Sequence, residues 1–204
     1  MPWRNVLLRL FACWLVASAV AAGFARPLLT PLLPLAGSLF ETLLPGFDAS
    51  LGYAGPALDA AVLGRFTLRE SIAFSEQLAI HRGETLELRV GLGHQALPIV
   101  IFVVALCALP FANGRERALG GMLALVLAVL LAVTLLSVQF AGLVELSFER
   151  SRERFGIANP PDLLLATMIF LESGGRWLVP IVLAALCRAA LVRRAASSGK
   201  AVVR

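Results

Sequence analysis

The chain has 204 residues, 59% of them apolar and only 15% charged, with a mean hydropathy of +0.85. A water-soluble domain carries about 25% charged and about 45–50% apolar residues, so disorder, a disulfide-knotted chain and an ordinary soluble enzyme core are excluded. Eighteen Lys and Arg against 13 Asp and Glu leave a net charge of +5, but the basic residues form no basic face and no nucleic-acid-binding motif. The apolar residues gather into blocks separated by charge clusters. The fold class expected is a mainly α membrane protein: four transmembrane helices with a small β-containing extracytoplasmic segment between the first and second.

The first block, residues 6–25, is interrupted only by Arg9. Its basic start (Arg4, Arg9) and the small-residue stretch Ala17-Ser18-Ala19-Val20-Ala21-Ala22 also fit a cleavable secretory signal, so residues 1–25 read as an amino-terminal anchor or a signal-like segment. Residues 26–47 are apolar and broken by Pro27, Pro31, Pro34 and Pro45, which suggests a helix lying along the membrane surface. Residues 48–96 form the expected extracytoplasmic β-rich segment. Within it, 48–64 is rich in Gly and small residues and reads as connector. Phe66 and Leu68, then Leu86, Leu88 and Val90, alternate with polar residues, the two-residue period of half-buried strands. His81-Arg82-Gly83-Glu84 supplies a turn before the second run.

Residues 97–187 hold three further blocks. The block at 97–112 is short for a span, since a crossing helix needs roughly 20 apolar residues, and it recruits Gln95 or Asn113 at its ends. The block at 119–141 is the cleanest. Beyond Gly142 it continues without Gly or Pro punctuation through 155, where Glu145, Glu149, Arg152 and Glu153 recur at helical spacing, so a periplasmic extension at 142–162 is expected to stand beyond the bilayer as a post. Asn159-Pro160-Pro161-Asp162 then turns the chain into the last block, 163–187, and residues 188–204 form a basic tail. Orientation follows from charge. With both termini cytoplasmic, the inner segments hold nine basic residues against Glu116 alone, a net +8. The outer segments hold eight arginines against eleven acids, a net −3.

The last block contains the sequence's main chemical signal, Phe170-Leu171-Glu172-Ser173-Gly174-Gly175-Arg176-Trp177-Leu178-Val179-Pro180. Ionisable groups at membrane depth are costly, and Glu172 and Arg176 stand four apart in the order that favours pairing on one helical face. Pro180 lacks the N–H that would bond the Arg176 carbonyl, and Ser173, Gly174 and Gly175 strip bulk from the helix. The segment is therefore either a self-neutralised lock between helices or a contact with a ligand or partner. Gly120, Ala124, Ala128 and Ala132, spaced by four, form a small-residue stripe suited to close helix packing, or a chance pattern in an Ala/Leu-rich helix. Thr134, Ser137, Ala141 and Glu145 share an approximate face expected to turn inward.

Catalytic sets are not visible. His81 and His94 both fall in the outer segment with no HExxH or CxxC beside them, and read as surface histidines on a strand and its turn; no metal and no cofactor are expected. Cys13, Cys107 and Cys187 lie far apart in apolar blocks and read as buried, inert thiols. No GxSxG elbow or P-loop is present, and with no histidine expected in any span a Ser173-based nucleophile lacks its base.

With LESGGRWLVP in the last span, the layout resembles the exosortase-associated membrane proteins, particularly those accompanying exosortase H in Gram-negative bacteria. The resemblance covers the order of anchor, Pro-rich stretch, β-rich outer segment and later helices, and rests on one short motif for sequence specificity. It implies residence in the bacterial inner membrane beside a protein-sorting transpeptidase, and no catalytic residues to carry over. Exosortases depend on a Cys, Arg and His set, which this chain does not place. The leading expectation is a non-enzymatic accessory that binds membrane lipid and an exosortase-like membrane partner through Glu172, Ser173, Gly174, Gly175, Arg176 and Pro180. The alternatives are a small integral-membrane enzyme or lipid-handling protein that holds an anionic headgroup on Arg176, and a transporter subunit.

Overall fold

The structure is a computed structural model that describes residues 3–55, 61–73, 79–107, 114–154 and 162–201. The chain runs α1 (Trp3–Leu29), a 3-10 turn (Thr30–Leu32), α2 (Leu33–Leu43), β1 (Phe47–Ala54), β2 (Ala61–Leu68), β3 (Ile72–Ala73), β4 (Ala79–Ile80) and β5 (Thr85–Gly91). It continues with α3 (Leu92–Cys107), α4 (Gly114–Arg154), α5 (Leu163–Phe170), a π-type turn (Leu171–Gly175) and α6 (Arg176–Ala201). Among the described residues, three helical stretches are long and apolar enough to cross a membrane: Arg4–Leu43, Arg117–Ser151 and Leu163–Arg193. This is the architecture of a membrane protein.

The short second block forms α3, whose 16 residues reach only about 24 Å at 1.5 Å per residue, less than a hydrocarbon core of about 30 Å. It is nevertheless the hub of the bundle, packing against α1, α4 and α6. The helix starts directly at the end of β5 with no intervening loop. Leu92 shares one core cluster with Phe140 and Val144, and Phe102 and Leu106 share another with Leu123, Leu127 and Leu131, so α3 runs antiparallel to α4. Its expected end at Ala112 and the Pro160-Pro161 turn lie outside the described residues.

Residues 26–47 depart from the surface-helix expectation. Helix α1 passes unbroken through Ala25 and Pro27 to Leu29. Helix α2 then turns its apolar face onto α4 and β1, with Ala36 and Phe40 fully buried. Pro31 and Pro34 sit where the 3-10 turn and α2 begin, positions whose N–H groups have no intrahelical acceptor, so they shape the join without breaking a helix. Ser137 of α4 donates to the Ala36 carbonyl at 2.8 Å, a polar rivet through an otherwise apolar seam.

The strands pair within the chain. The sheet has the order β1-β2-β5, antiparallel throughout, with Phe47 opposite Leu68 and Phe66 opposite both Ala49 and Leu86. The Gly-rich residues read as connector thus supply an edge strand, β1; without an apolar alternation of their own they gave no strand signal. Period-two burial holds in β2, where Val62, Phe66 and Leu68 are buried and Arg65 is exposed. On the solvated face Arg65 meets Glu87 at 2.7 Å, and Thr67 meets Thr85 at 3.1 Å. The 81–84 segment is the turn expected, closed by the Glu84 N–H on the His81 carbonyl at 3.1 Å, with Gly83 at φ +86° where an L side chain would be strained.

Sheet and bundle share one core built from phenylalanine. Phe66 stands between Phe40 of α2, with ring centroids 4.3 Å apart, and Phe140 of α4, at 5.2 Å; Phe47 and Phe148 extend the stack at 5.8 Å. Such aromatic pairs contribute about 0.5–1.5 kcal/mol beyond the area they bury. Gly64 makes the approach possible: a Cβ there would fall 2.5 Å from the Phe66 ring and 2.9 Å from Phe140. The upper half of α4 is accordingly no bare post. Its 41 residues reach about 60 Å, but Phe140, Ala141, Val144 and Phe148 are clad by the sheet and α2. Of the face expected to turn inward, Ser137 and Ala141 are fully buried, Glu145 is half-buried and Thr134 is exposed.

Arg69 ties the sheet to α2. Its guanidinium donates to Asp48 at 2.8 Å, to the Pro45 carbonyl at 3.1 Å and to Glu41 at 3.3 Å. Asp48, through its hydrogen bond and charge, and Glu41 hold the Arg69 pKa above the ordinary guanidinium value. Glu41 also accepts the Ala49 N–H at 3.0 Å, capping the outer edge of β1 with an α2 side chain.

Candidate functional site: a polar cluster at a broken helix

The last candidate span, Leu163–Arg193, is not a continuous α-helix. Between α5 and α6 the backbone widens at Leu171–Gly175, where the Arg176 N–H reaches back to the Leu171 carbonyl, and Gly174 adopts φ +129°. Such a conformation is close to glycine-only. Gly175 has a different duty: a Cβ there would lie 2.4 Å from the Phe170 ring, which folds across the break. The Ser-Gly-Gly run therefore marks a helix interruption, the single-turn bulge that recurs at functional sites. Pro180, one turn further on, is fully buried, away from the exposed side of the break that holds Glu172 and Ser173.

The interruption aims two side chains at α3 and α4. Arg176 is 7% exposed and is the hub. One Nη donates to Glu172 Oε1 and the other meets Nδ1 of His94. A guanidinium can only donate, so His94 Nδ1 accepts and the imidazole is neutral with its proton on Nε2. Glu172 Oε1 also accepts from Gln139 Nε2 at 2.9 Å, and the Gln139 carbonyl oxygen accepts from Gln95 Nε2. Five side chains from α3, α4 and the broken helix thus form one directed chain, Gln95 to Gln139 to Glu172 on one arm and Arg176 to Glu172 and His94 on the other. A carboxylate receiving charged and amide donors together is what makes so polar a group tolerable among apolar helices.

The cluster corrects the reading of His94. It is exposed as expected but not on a strand: it lies in the first turn of α3, because the alternating run of β5 stops at Gly91 and the helix begins at once. A helical histidine three residues from a strand was masked by the strand's own period. Gln95 and Gln139 carry one local signal only, an uncharged polar side chain at the edge of or within an apolar block. The Glu172–Arg176 pair forms as spacing predicted. His81 stays at the turn, and no group of three metal-ligating side chains occurs among the described residues.

The space inside the cluster is about 10 Å³, bordered by Pro98, Leu135, Met168 and Leu171 besides the polar groups. That is at most the room of one water. Arg176 therefore has no open face for a headgroup. Glu172 does: its side chain is 44% exposed, on a surface with Ser173 and Trp177.

The small-residue stripe has a divided role. Gly120 and Ala132 are buried, and Ala124 and Ala128 half-buried against the α3 and α6 cluster. A close approach to α4 lies outside the stripe, at Gly142, where a Cβ would fall 2.4 Å from the Met168 Cβ. No family model matches the chain, and no curated protein or solved structure matches it.

Proposed function

We propose that this chain is a non-enzymatic accessory of a bacterial envelope protein-sorting or export system, binding a membrane partner beside the helix break. It sits in the inner membrane as a four-pass protein with both termini in the cytoplasm. Charge asymmetry supports this orientation, and the chain order supports the four passes, since β5 delivers the chain to the sheet end of α3 while α4 starts from the opposite end. One observation carries the partner reading. Glu172 is held from behind by Arg176 and Gln139 yet remains 44% exposed on the flank of the bundle, where lipid solvates a carboxylate poorly and a donor from a neighbouring helix would be favoured. The closed interior of the cluster speaks against Arg176 as a headgroup ligand and against a substrate cavity at this position. A protein-sorting transpeptidase of the exosortase type is the partner we assign.

Photo-crosslinking from the native membrane tests it. A benzoylphenylalanine at position 173 or 177 in the full chain should give one defined crosslinked protein, and Glu172→Leu together with Arg176→Leu should abolish that product at unchanged abundance. A product that survives the double replacement, or none at either position, overturns the partner reading. A defined partner other than a sorting transpeptidase overturns the sorting assignment alone.

A further inference from the structure

A second feature lies on the other flank of α3. Helix α1 packs against α3, and α3 against α4, but α1 and α4 close only near the 3-10 turn at the sheet end. Between them runs an apolar groove of about 770 Å³, walled by α1 residues from Ala12 to Leu29, by α3 from Ala96 to Cys107 and by α4 from Leu125 to Ala132. Along α1 it extends about 26 Å, most of a hydrocarbon core of about 30 Å. A flexible hydrocarbon chain fits it.

Charge names the kind of chain. On α1 the groove is lined at Cys13, Val16 and Val20, and the same helical face continues one turn further to Arg9, beyond the end of the groove farthest from the sheet. Arg9 is exposed and has no partner among the described residues. Arg26, near the opposite end, is engaged, its guanidinium lying 5.0 Å over the Tyr53 ring. Arg4 is off the groove face. We infer that the groove seats an acyl chain of an anionic phospholipid from the leaflet on the side away from the sheet, its phosphate held by Arg9 and its chain running past Cys13, Val16 and Val103 towards Ala128. Arg9 supplies the charge that selects the headgroup, and the small side chains Ala17, Ala21 and Ala128 supply the width.

The two cysteines on the groove wall report occupancy. Cys13 and Cys107 line it, whereas Cys187 is buried in the separate α3–α4–α6 cluster and serves as internal control. The full chain is reconstituted in nanodiscs of phosphatidylcholine alone, or with phosphatidylglycerol added, and alkylated with an apolar maleimide read site by site by mass spectrometry. Phosphatidylglycerol should slow labelling of Cys13 and Cys107 by about fivefold or more, with Cys187 unchanged. Arg9→Gln should remove the difference and Arg4→Gln should keep it, although both lose the same charge. Ala128→Phe, which fills the groove, should protect both cysteines in either lipid. Equal rates in the two lipids, equal behaviour of Arg9→Gln and Arg4→Gln, or protection that grows with protein-to-lipid ratio, the mark of a second copy in the groove, would each overturn the inference.

Discussion

His94 and Arg176, 82 residues apart in sequence, meet through an imidazole nitrogen and a guanidinium nitrogen where α3 begins and the last span breaks. The contact selects the tautomer of His94, because the permanently charged donor needs a lone pair. Nitrogen-15 spectra of selectively labelled histidine should therefore show His94 with an unprotonated Nδ1 and a protonated Nε2. His94→Ala should cost about 1–3 kcal/mol by leaving a buried donor unmet, seen as a lower midpoint of thermal unfolding in detergent.

Removing one member of the ion pair should hurt more than removing both. Arg176→Leu strands Glu172 on Gln139 alone and is expected to cost about 3 kcal/mol, near the lower end for a buried pair because Glu172 is partly exposed. Glu172→Leu with Arg176→Leu should recover a substantial part of that loss. A double variant no more stable than Arg176→Leu alone would show that the pair is not an energetic unit.

Glycine substitutions separate conformation from space. Gly174→Ala places a side chain at φ +129° with nothing nearby to strike, so its cost of about 1–3 kcal/mol is backbone strain and should be matched by Gly174→Ser. Gly142→Ala instead drives a methyl into Met168, for about 1–3 kcal/mol, and Met168→Ala in the same chain should relieve part of it. A thermodynamic cycle on this second pair reads the coupling directly.

The phenylalanine stack should bear most of the cohesion between sheet and bundle. Phe66→Ala is expected to lose about 3–5 kcal/mol, with fast hydrogen exchange appearing across β1, β2 and β5 together. If only β2 loosened, the sheet would not depend on the bundle.

Arg69→Ala should act locally, because its partners are surface groups of α2 and β1. The expected readout is faster exchange of the Ala49 N–H, whose acceptor Glu41 is held by Arg69, with the unfolding midpoint little changed.

How much of this was legible beforehand follows from the range of each signal. Hydrophobic blocks and two-residue alternation are local, so three spans, the second half of β2, β5 and the 81–84 turn could be read from composition and period. The Glu172–Arg176 pair was legible because four residues is one helical turn. β1 was not, since an edge strand supported by α2 needs little apolar alternation of its own, and neither was the burial of α2, whose apolar face gives the same pattern whether it meets lipid or protein.

The sequence by itself determined that apolar helices dominate, where charge is concentrated, and that one acid–base pair stands within the last apolar block, all properties of residues within a few turns of one another. Only the tertiary structure decided that His94, Gln95 and Gln139 complete that pair, that Glu172 keeps an open side while Arg176 does not, and that α1 and α4 leave a groove between them. Those outcomes depend on how helices distant in sequence lie side by side, and periodicity along one helix carries no record of which neighbour its face will meet.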